Sequence, residues 1–342
     1  MRAALLTALV FLCACRIERV APNGGGPAPT CETTPRGDVW VYTSVYKTVL
    51  DRLEPLLRER MPEVKVQWFQ AGGEKLQARI EAEIAAGGVQ ADVIMASDPF
   101  LYERFKEEGL LAPYASVHAL KMPRTMVDPD ATYTAARVGT MIIVAKSDMK
   151  DPPKSFRDLS SERYRGRIAI GDPLSSGTAT SWAYFMNRAY GVQYFRDLRA
   201  NRAVVAGGNA AVLQKVESGE ADAGVLLMEN ALVARGNGSR IVIIYPEDGP
   251  VVIPGHVATF KSARNPVAAR AFIDVMLSPE GQKAIVEIGD MHAADPRLPG
   301  PRGEPPLEEL LKRGMPWNDA VLPEGVARIP AMKQAFSEIF GR

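Results

Sequence analysis

Short apolar runs alternate with longer segments whose apolar residues recur every three or four positions, and this alternation constrains the chain more than any other feature. Val39 to Tyr42 reads as a strand, and Val64, Val66 and Trp68 alternate along a second. Ala91 to Ala96 supplies a third, apolar enough to be buried on both faces. Between the first two, Val49, Leu50, Leu53, Leu56, Leu57 and Met61 fall at helical spacing, and between the second and third Leu76, Ile80 and Ile84 repeat every four residues. Strand-helix-strand-helix-strand at these lengths predicts the α/β class, with a parallel sheet and right-handed crossovers.

The second half repeats this grammar without repeating the sequence. Arg167 to Ile170, Ala203 to Val205, Ala223 to Leu227 and Arg240 to Tyr245 read as strands, and Thr178 to Tyr190 and Asn209 to about Ser218 as helices. Tyr133 to Lys146 is extended and apolar, which suits a crossing between two lobes. Ile253 to Ala258 reads as the return, because the following helix, Pro266 to Leu277, needs a lobe to pack on. The predicted architecture is two lobes, each a mostly parallel sheet flanked by helices, joined by a two-crossing hinge around a cleft. Residues 38–137 and 256–342 form the first lobe and 138–255 the second, with hinge closure expected. The Pro-rich tail after Gly289, including a helix at Leu307 to Arg313, is expected to wrap the first lobe, and Trp317 to pack on a lobe, with Pro316-Trp317 covering core.

In open parallel sheets ligands collect beyond the carboxyl ends of strands, where helix N-termini point. Small polar residues stand at those places: Thr43-Ser44, Gly72-Gly73, Ser97-Asp98-Pro99, Asp172 through Ser175-Ser176-Gly177-Thr178, and Gly207-Gly208-Asn209. Each alone is an ordinary helix cap, contributing about 1 kcal/mol. Five such ends facing one cleft form an anion-binding surface of free N–H groups and hydroxyls. The candidate ligand-binding residues are therefore Thr43, Ser44, Gly73, Ser97, Asp98, Asp172, Ser175, Ser176, Gly177, Thr178 and Asn209.

The N-terminus carries a different signal. After Arg2, Ala3 to Leu12 is too short to span a bilayer but suits a signal-peptide core. Leu12-Cys13-Ala14-Cys15 resembles the lipobox of bacterial lipoproteins, in which the cysteine becomes the lipidated first residue; a plain secretory cut near Ala14 is the alternative. On this reading 1–14 is the signal peptide, Cys15 attaches the chain to a membrane through lipid, and 15–37, rich in Gly and Pro, is a disordered tether. Cys31 is then left without a partner. The net charge of +1, from 41 basic and 40 acidic residues well mixed, offers no basic stripe for nucleic acid, and no later apolar run approaches the ~20 residues of a span. An exported, lipid-anchored monomer on the periplasmic or cell-surface side is expected.

Several segments together resemble the extracellular solute-binding proteins of bacterial ABC importers, in the group that includes ferric-iron and organic-phosphate binders. They are Val41-Tyr42-Thr43-Ser44, Ala91-Asp92-Val93-Ile94 with Ser97-Asp98, Asp172-Pro173 before Ser176-Gly177-Thr178-Ala179, Gly219 to Gly224, Ile253-Pro254-Gly255, and Ala268 to Asp274 with Leu277 to Gln282. The resemblance covers most of Asp38 to Ile285. It implies a hinge-closing binder, without a resident cofactor, that hands a small molecule to a permease and its ATPase. Ferric members hold the metal with adjacent tyrosines just after the Gly-Glu segment, where this chain reads Leu227-Met228-Glu229-Asn230. Iron would then fall to Tyr46, Asp98, Asp172 and Glu229, phenolate and carboxylate being suitable oxygen ligands for a hard cation. The other reading is an organic anion such as a phosphate or phosphonate ester. Ser44, Ser97, Ser176 and Thr178 would donate to its anionic end, and Glu229, Asp98 or Asp172 would meet an amine or sugar hydroxyl. His118, His256 and His292 have no ligand spacing.

An enzyme is not expected. The chain has no G-x-S-x-G elbow, P-loop, G-x-G-x-x-G or Cys-His pairing. A sensory binding protein that presents ligand to a membrane receptor would use the same fold.

Overall fold

The computed structural model describes residues 34–315, Trp317 and residues 320–341. The expected signal peptide, Cys15, Cys31, most of the expected tether and Pro316 lie outside the described residues. In chain order the first elements are β1 (Gly37–Thr43), α1 (Lys47–Arg60), β2 (Val64–Gln70), α2 (Gly73–Ala85), β3 (Val93–Ala96), α3 (Pro99–Glu107) and β4 (Leu111–Ala112). The long β5 (Thr134–Lys146) leads to β6 (Ile168–Ile170), α4 (Gly177–Tyr190), α5 (Gln193–Ala200), β7 (Val204–Val205), α6 (Asn209–Glu217), β8 (Ala223–Leu227), α7 (Met228–Gly236) and β9 (Ile241–Ile244). The long β10 (Val251–Phe260) returns to α8 (Pro266–Leu277), α9 (Pro279–Gly289), β11 (His292–Ala293), α10 (Leu307–Arg313) and α11 (Val321–Phe340).

The strands order as β2-β1-β3-β10-β5-β8-β6-β7. β2, β1 and β3 are parallel, as are β7, β6 and β8, so each lobe has the parallel trio expected from its alternating pattern. β5 and β10 are the crossing segments. They pair antiparallel with each other from Thr134–Met141 to Val251–Val257, and each also pairs antiparallel with one trio, β10 with β3 and β5 with β8. Hydrogen bonding therefore runs unbroken through the hinge, and the expected separate sheets are joined. A shift of register at Gly255/His256 kinks the pair where the chain passes between lobes.

The folded chain begins inside the span 15–37 expected as a tether. Gly37 lies in β1 opposite Val64, and the Asn265 amide donates to the Arg36 carbonyl at 2.7 Å. Two helix starts follow the caps read from sequence, the Asp98 carboxylate accepting from the N–H groups of Phe100 and Leu101 and Ser176 Oγ from Ala179; Asn265, not read as a cap, accepts from Ala268 in the same way. The first lobe buries the α1 stripe Leu50, Leu53 and Leu57 with Val39, Val41, Phe272 and Met276, and the α2 stripe Leu76 and Ile80 with Ile94 and Tyr102. The second buries Trp182, Phe156 and Phe195 on one face of its sheet and Val212, Leu226 and Leu232 on the other.

The tail departs from its expected course around the first lobe. Phe336 of α11 stacks on Phe340 and meets Phe195 of the second lobe edge-on, while Gly325 lies against Phe100 of the first. The Lys333 ammonium meets the Glu74 carboxylate in α2 at 2.6 Å, and Arg188 in α4 meets Glu324 at 3.7 Å. Assignment of all of 256–342 to the first lobe therefore does not describe α11, whose apolar face is divided between both. Trp317 covers this junction, its ring 5.1 Å from Phe185 and 5.8 Å from Phe100.

The close approach at Gly325 is testable. A Cβ there would sit 2.0 Å from Phe100 Cε1, in a ring already packed against Tyr184. Ala is the better helix former by about 1 kcal/mol, yet Gly325→Ala is expected to cost a net ~1–3 kcal/mol, the range for overpacked cores. The measurement is a lower urea midpoint at unchanged m value.

Candidate functional site

The expected helix starts converge on one cavity of about 360 Å³ between the lobes. Ser44, Gly73, Ser97 and Asp98 line it from the first lobe, and Ser175, Ser176, Gly177, Thr178, Asn209 and Glu229 from the second. The lobes touch at its edge. A Cβ on Gly177 would lie 3.0 Å from the Asp98 Cβ, and one on Gly73 would lie 3.4 Å from the Gly177 nitrogen, so the absence of side chains at 73 and 177 permits this approach.

Two expected residues do not line the cavity. Thr43 is fully buried, its hydroxyl donating to the Met95 carbonyl at 2.8 Å and accepting from the Val45 N–H at 3.1 Å, so it ties β1 to β3. Asp172 organises its own turn, its carboxylate accepting from the Leu174 N–H at 2.9 Å and its carbonyl from Ser175 and Ser176. The four candidate iron ligands are therefore not gathered at one place: Tyr46, Asp98 and Glu229 line the cavity and Asp172 does not. Asp98 is also engaged as the cap of α3.

The hydroxyls form linked pairs. Ser97 N–H donates to Ser44 Oγ at 3.3 Å, while Ser97 Oγ is buried without a partner. Ser176 Oγ and Thr178 Oγ1 are 3.2 Å apart, and the Asn209 amide donates to Thr178 Oγ1 at 3.1 Å. Asn209 Oδ1 in turn accepts from the Leu227 N–H at 3.1 Å, which orients the amide.

Arg137 is the cavity's principal cation and was not among the expected residues. It projects from β5, is 3% exposed, and keeps Nε buried without a partner. Its Nη1 donates to Met291 Sδ at 3.3 Å and its Nη2 to Ser44 Oγ at 3.4 Å, both weak contacts for a guanidinium. Burial lowers its pKa, opposed by the charge of Glu229, but a guanidinium stays protonated in proteins. The signal in the sequence was a single arginine inside the apolar crossing Thr134 to Ala145. A buried charge is expensive unless it is paired.

Glu229, in the first turn of α7, is 5% exposed, with Oε2 unpartnered and Oε1 close to Gly139 of β5. Burial pushes its pKa up to about 7 against the pull of Arg137. Burial likewise pushes Asp98 up to about 6, with Glu74 adding to the rise and Lys333 and the two capping N–H groups opposing it. The cavity thus holds one permanent positive charge, helix N-termini and hydroxyls, beside carboxyls that resist ionisation. That set suits an anion with a hydrogen-bonding remainder.

Two lobes hinged on paired crossing strands, with helix starts and an arginine facing an interlobe cavity, define a solute-binding protein. The chain belongs to the bacterial extracellular solute-binding protein family, whose model matches residues 90–304. It is 24% identical over 249 residues to the phosphoglycerate transport regulatory protein PgtC of Salmonella typhimurium, a stretch spanning 67% of this chain and 62% of that protein. Its fold matches the periplasmic binding protein AfuA of Actinobacillus pleuropneumoniae with fructose-6-phosphate bound, at a TM-score of 0.79 and 21% identity over 89% of this chain and 99% of that one. It also matches iron-bound HitA of Pseudomonas aeruginosa, at a TM-score of 0.76 and 20% identity over 87% and 99%. The chain is thus an extracellular solute-binding component of the ABC-transporter type.

Proposed function

We propose that this protein captures a small phosphate-bearing organic anion in the interlobe cavity and delivers it to the permease of an ABC importer. The observation that carries the reading is Arg137, a buried guanidinium with a free Nε beside Ser44, Ser97 and the starts of α4 and α6. Phosphate satisfies such a site well, because its oxygens accept charge-assisted bonds from guanidinium, hydroxyl and backbone N–H at once. A relative named as a regulatory protein of phosphoglycerate transport and a structural neighbour with fructose-6-phosphate bound agree with this chemistry. Iron fits less well: Fe(III) beside Arg137 would meet like charge, Asp98 is engaged as the cap of α3, and Asp172 does not line the cavity. Attachment to a membrane through lipid on Cys15 belongs to the same proposal, since tethering raises the concentration of a binder beside its permease.

The test is thermal or urea unfolding of the protein without its first 33 residues in the presence of ferric citrate, inorganic phosphate, fructose 6-phosphate and 3-phosphoglycerate. A ligand at 100 times its Kd adds about 2.7 kcal/mol. Stabilisation by a phosphate ester supports the reading, and stabilisation by ferric citrate alone overturns it.

A further inference from the structure

A second cavity of about 570 Å³ opens beside the first. The two share the wall residues Tyr46, Val49, Ala210, Glu229 and Gly289. Across this junction the Asn230 amide of the second lobe donates to the Tyr46 hydroxyl of the first at 3.1 Å. The chambers differ in charge. The inner one holds Arg137, whereas no Lys or Arg among the described residues lines the outer one, whose ionised or ionisable carboxyls are Glu217 and Glu229. Its remaining polar groups include Thr48, Asn237 and Ser239, set among Leu213 and Val233. Glu229, in the wall the two share, keeps Oε2 buried with no partner within the protein, an acceptor for a polar ligand atom that reaches it.

The geometry points to a cleft of two compartments, the outer of which receives the non-anionic end of an elongated phosphate ester, bearing hydroxyl or ammonium groups, and disfavours a ligand with a carboxylate there. This rests on the phosphate reading of the inner chamber and names the part of the ligand that reading leaves open. Hydroxyl and ammonium groups share one property, donation to Glu229 and Glu217. A carboxylate would meet the like charge of Glu217, and that of Glu229 once it ionises, which is how binding sites reject near-neighbours of their ligands.

Calorimetric titrations separate the possibilities, with inorganic phosphate, fructose 6-phosphate, 4-aminobutyl phosphate and 3-phosphoglycerate as probes. The expected order places fructose 6-phosphate or 4-aminobutyl phosphate at least about tenfold tighter than inorganic phosphate, with 3-phosphoglycerate no tighter than inorganic phosphate. Val233, 46% exposed on α7, can be enlarged without disturbing a core. Val233→Trp is expected to reduce the preference for the tighter ester to about threefold or less while leaving inorganic phosphate binding unchanged. Glu217→Lys is expected to raise affinity for 3-phosphoglycerate alone. Which of the two esters binds tighter identifies the hydroxyl or the ammonium as the favoured end. If 3-phosphoglycerate binds as tightly as the other esters, or Val233→Trp leaves all ratios unaltered, the outer compartment is overturned and the phosphate reading stands. If no phosphate compound binds at all, the phosphate reading itself fails and takes the outer compartment with it.

Discussion

Arg137→Met is expected to weaken binding of a phosphate ester by about 30- to 1,000-fold, or about 2–4 kcal/mol, without destabilising the unliganded protein. The two halves of that expectation have one cause. In the unliganded cavity the guanidinium has only a thioether and a distant hydroxyl, Met291 and Ser44, as acceptors and leaves Nε unpaired, so its desolvation is poorly offset. Methionine has a similar apolar stem and carries no charge to desolvate, and the neighbouring Glu229 is easily neutralised by a proton. Ligand binding is where the arginine gains its charge-assisted bonds, so its removal is felt there. Isothermal titration with the tightest phosphate ester, paired with urea unfolding of the unliganded protein, reads both quantities. A variant that unfolds more easily yet binds as before would assign Arg137 to the hinge instead of the ligand.

Arg137 also marks the limit of what the residues disclosed in one dimension. The strand and helix alternation was legible because buried parallel strands are apolar throughout and amphipathic helices repeat at 3.6, and both signals are local. The helix starts were legible for the same reason: Ser176, Asp98 and Gly73 fall where a strand ends and a helix begins. Two features were not local. Thr43 and Asp172 share the residue types of the cavity lining, but the Thr43 hydroxyl is consumed across the sheet by the Met95 carbonyl, a pairing no local pattern shows, and the Asp172 carboxylate is turned onto the Leu174 N–H of its own turn. Helix α11 was hidden by Gly325 and Pro330, each unfavourable inside a helix. It persists because Met332, Phe336 and Phe340 are buried against the second lobe and Gly325 admits the ring of Phe100, so tertiary burial overrides a weak local preference.

Glu229 ties the site to stability through pH. Its carboxyl ordinarily titrates at 4.5 and is held at about 7 in the folded protein, chiefly by burial, with Asp290 adding to the rise and Arg137 opposing it. Asp290 is itself paired with Arg302 at 2.6 Å, which leaves Arg137 as the strongest opposing charge. Between pH 4.5 and about 7 the folded state therefore holds a proton that the unfolded chain has released. Stability from this group is fully present below pH 4.5 and is lost as pH rises through about 7. At about 1.4 kcal/mol per unit the loss is on the order of 3 kcal/mol. Asp98, raised from 3.8 to about 6, adds a loss of the same sign over its own window. Glu229→Gln keeps the shape and hydrogen bonding of the neutral carboxyl and carries no charge at any pH. Urea unfolding of the unliganded variant is expected to match the parent near pH 4.5 and to exceed it by about 3 kcal/mol at pH 8, the slope between them being flatter by that amount. Equal stability of the two proteins at pH 8 would mean that Glu229 ionises freely in the folded state, with Arg137 as its partner, and that the cavity stores no such strain for a ligand to relieve.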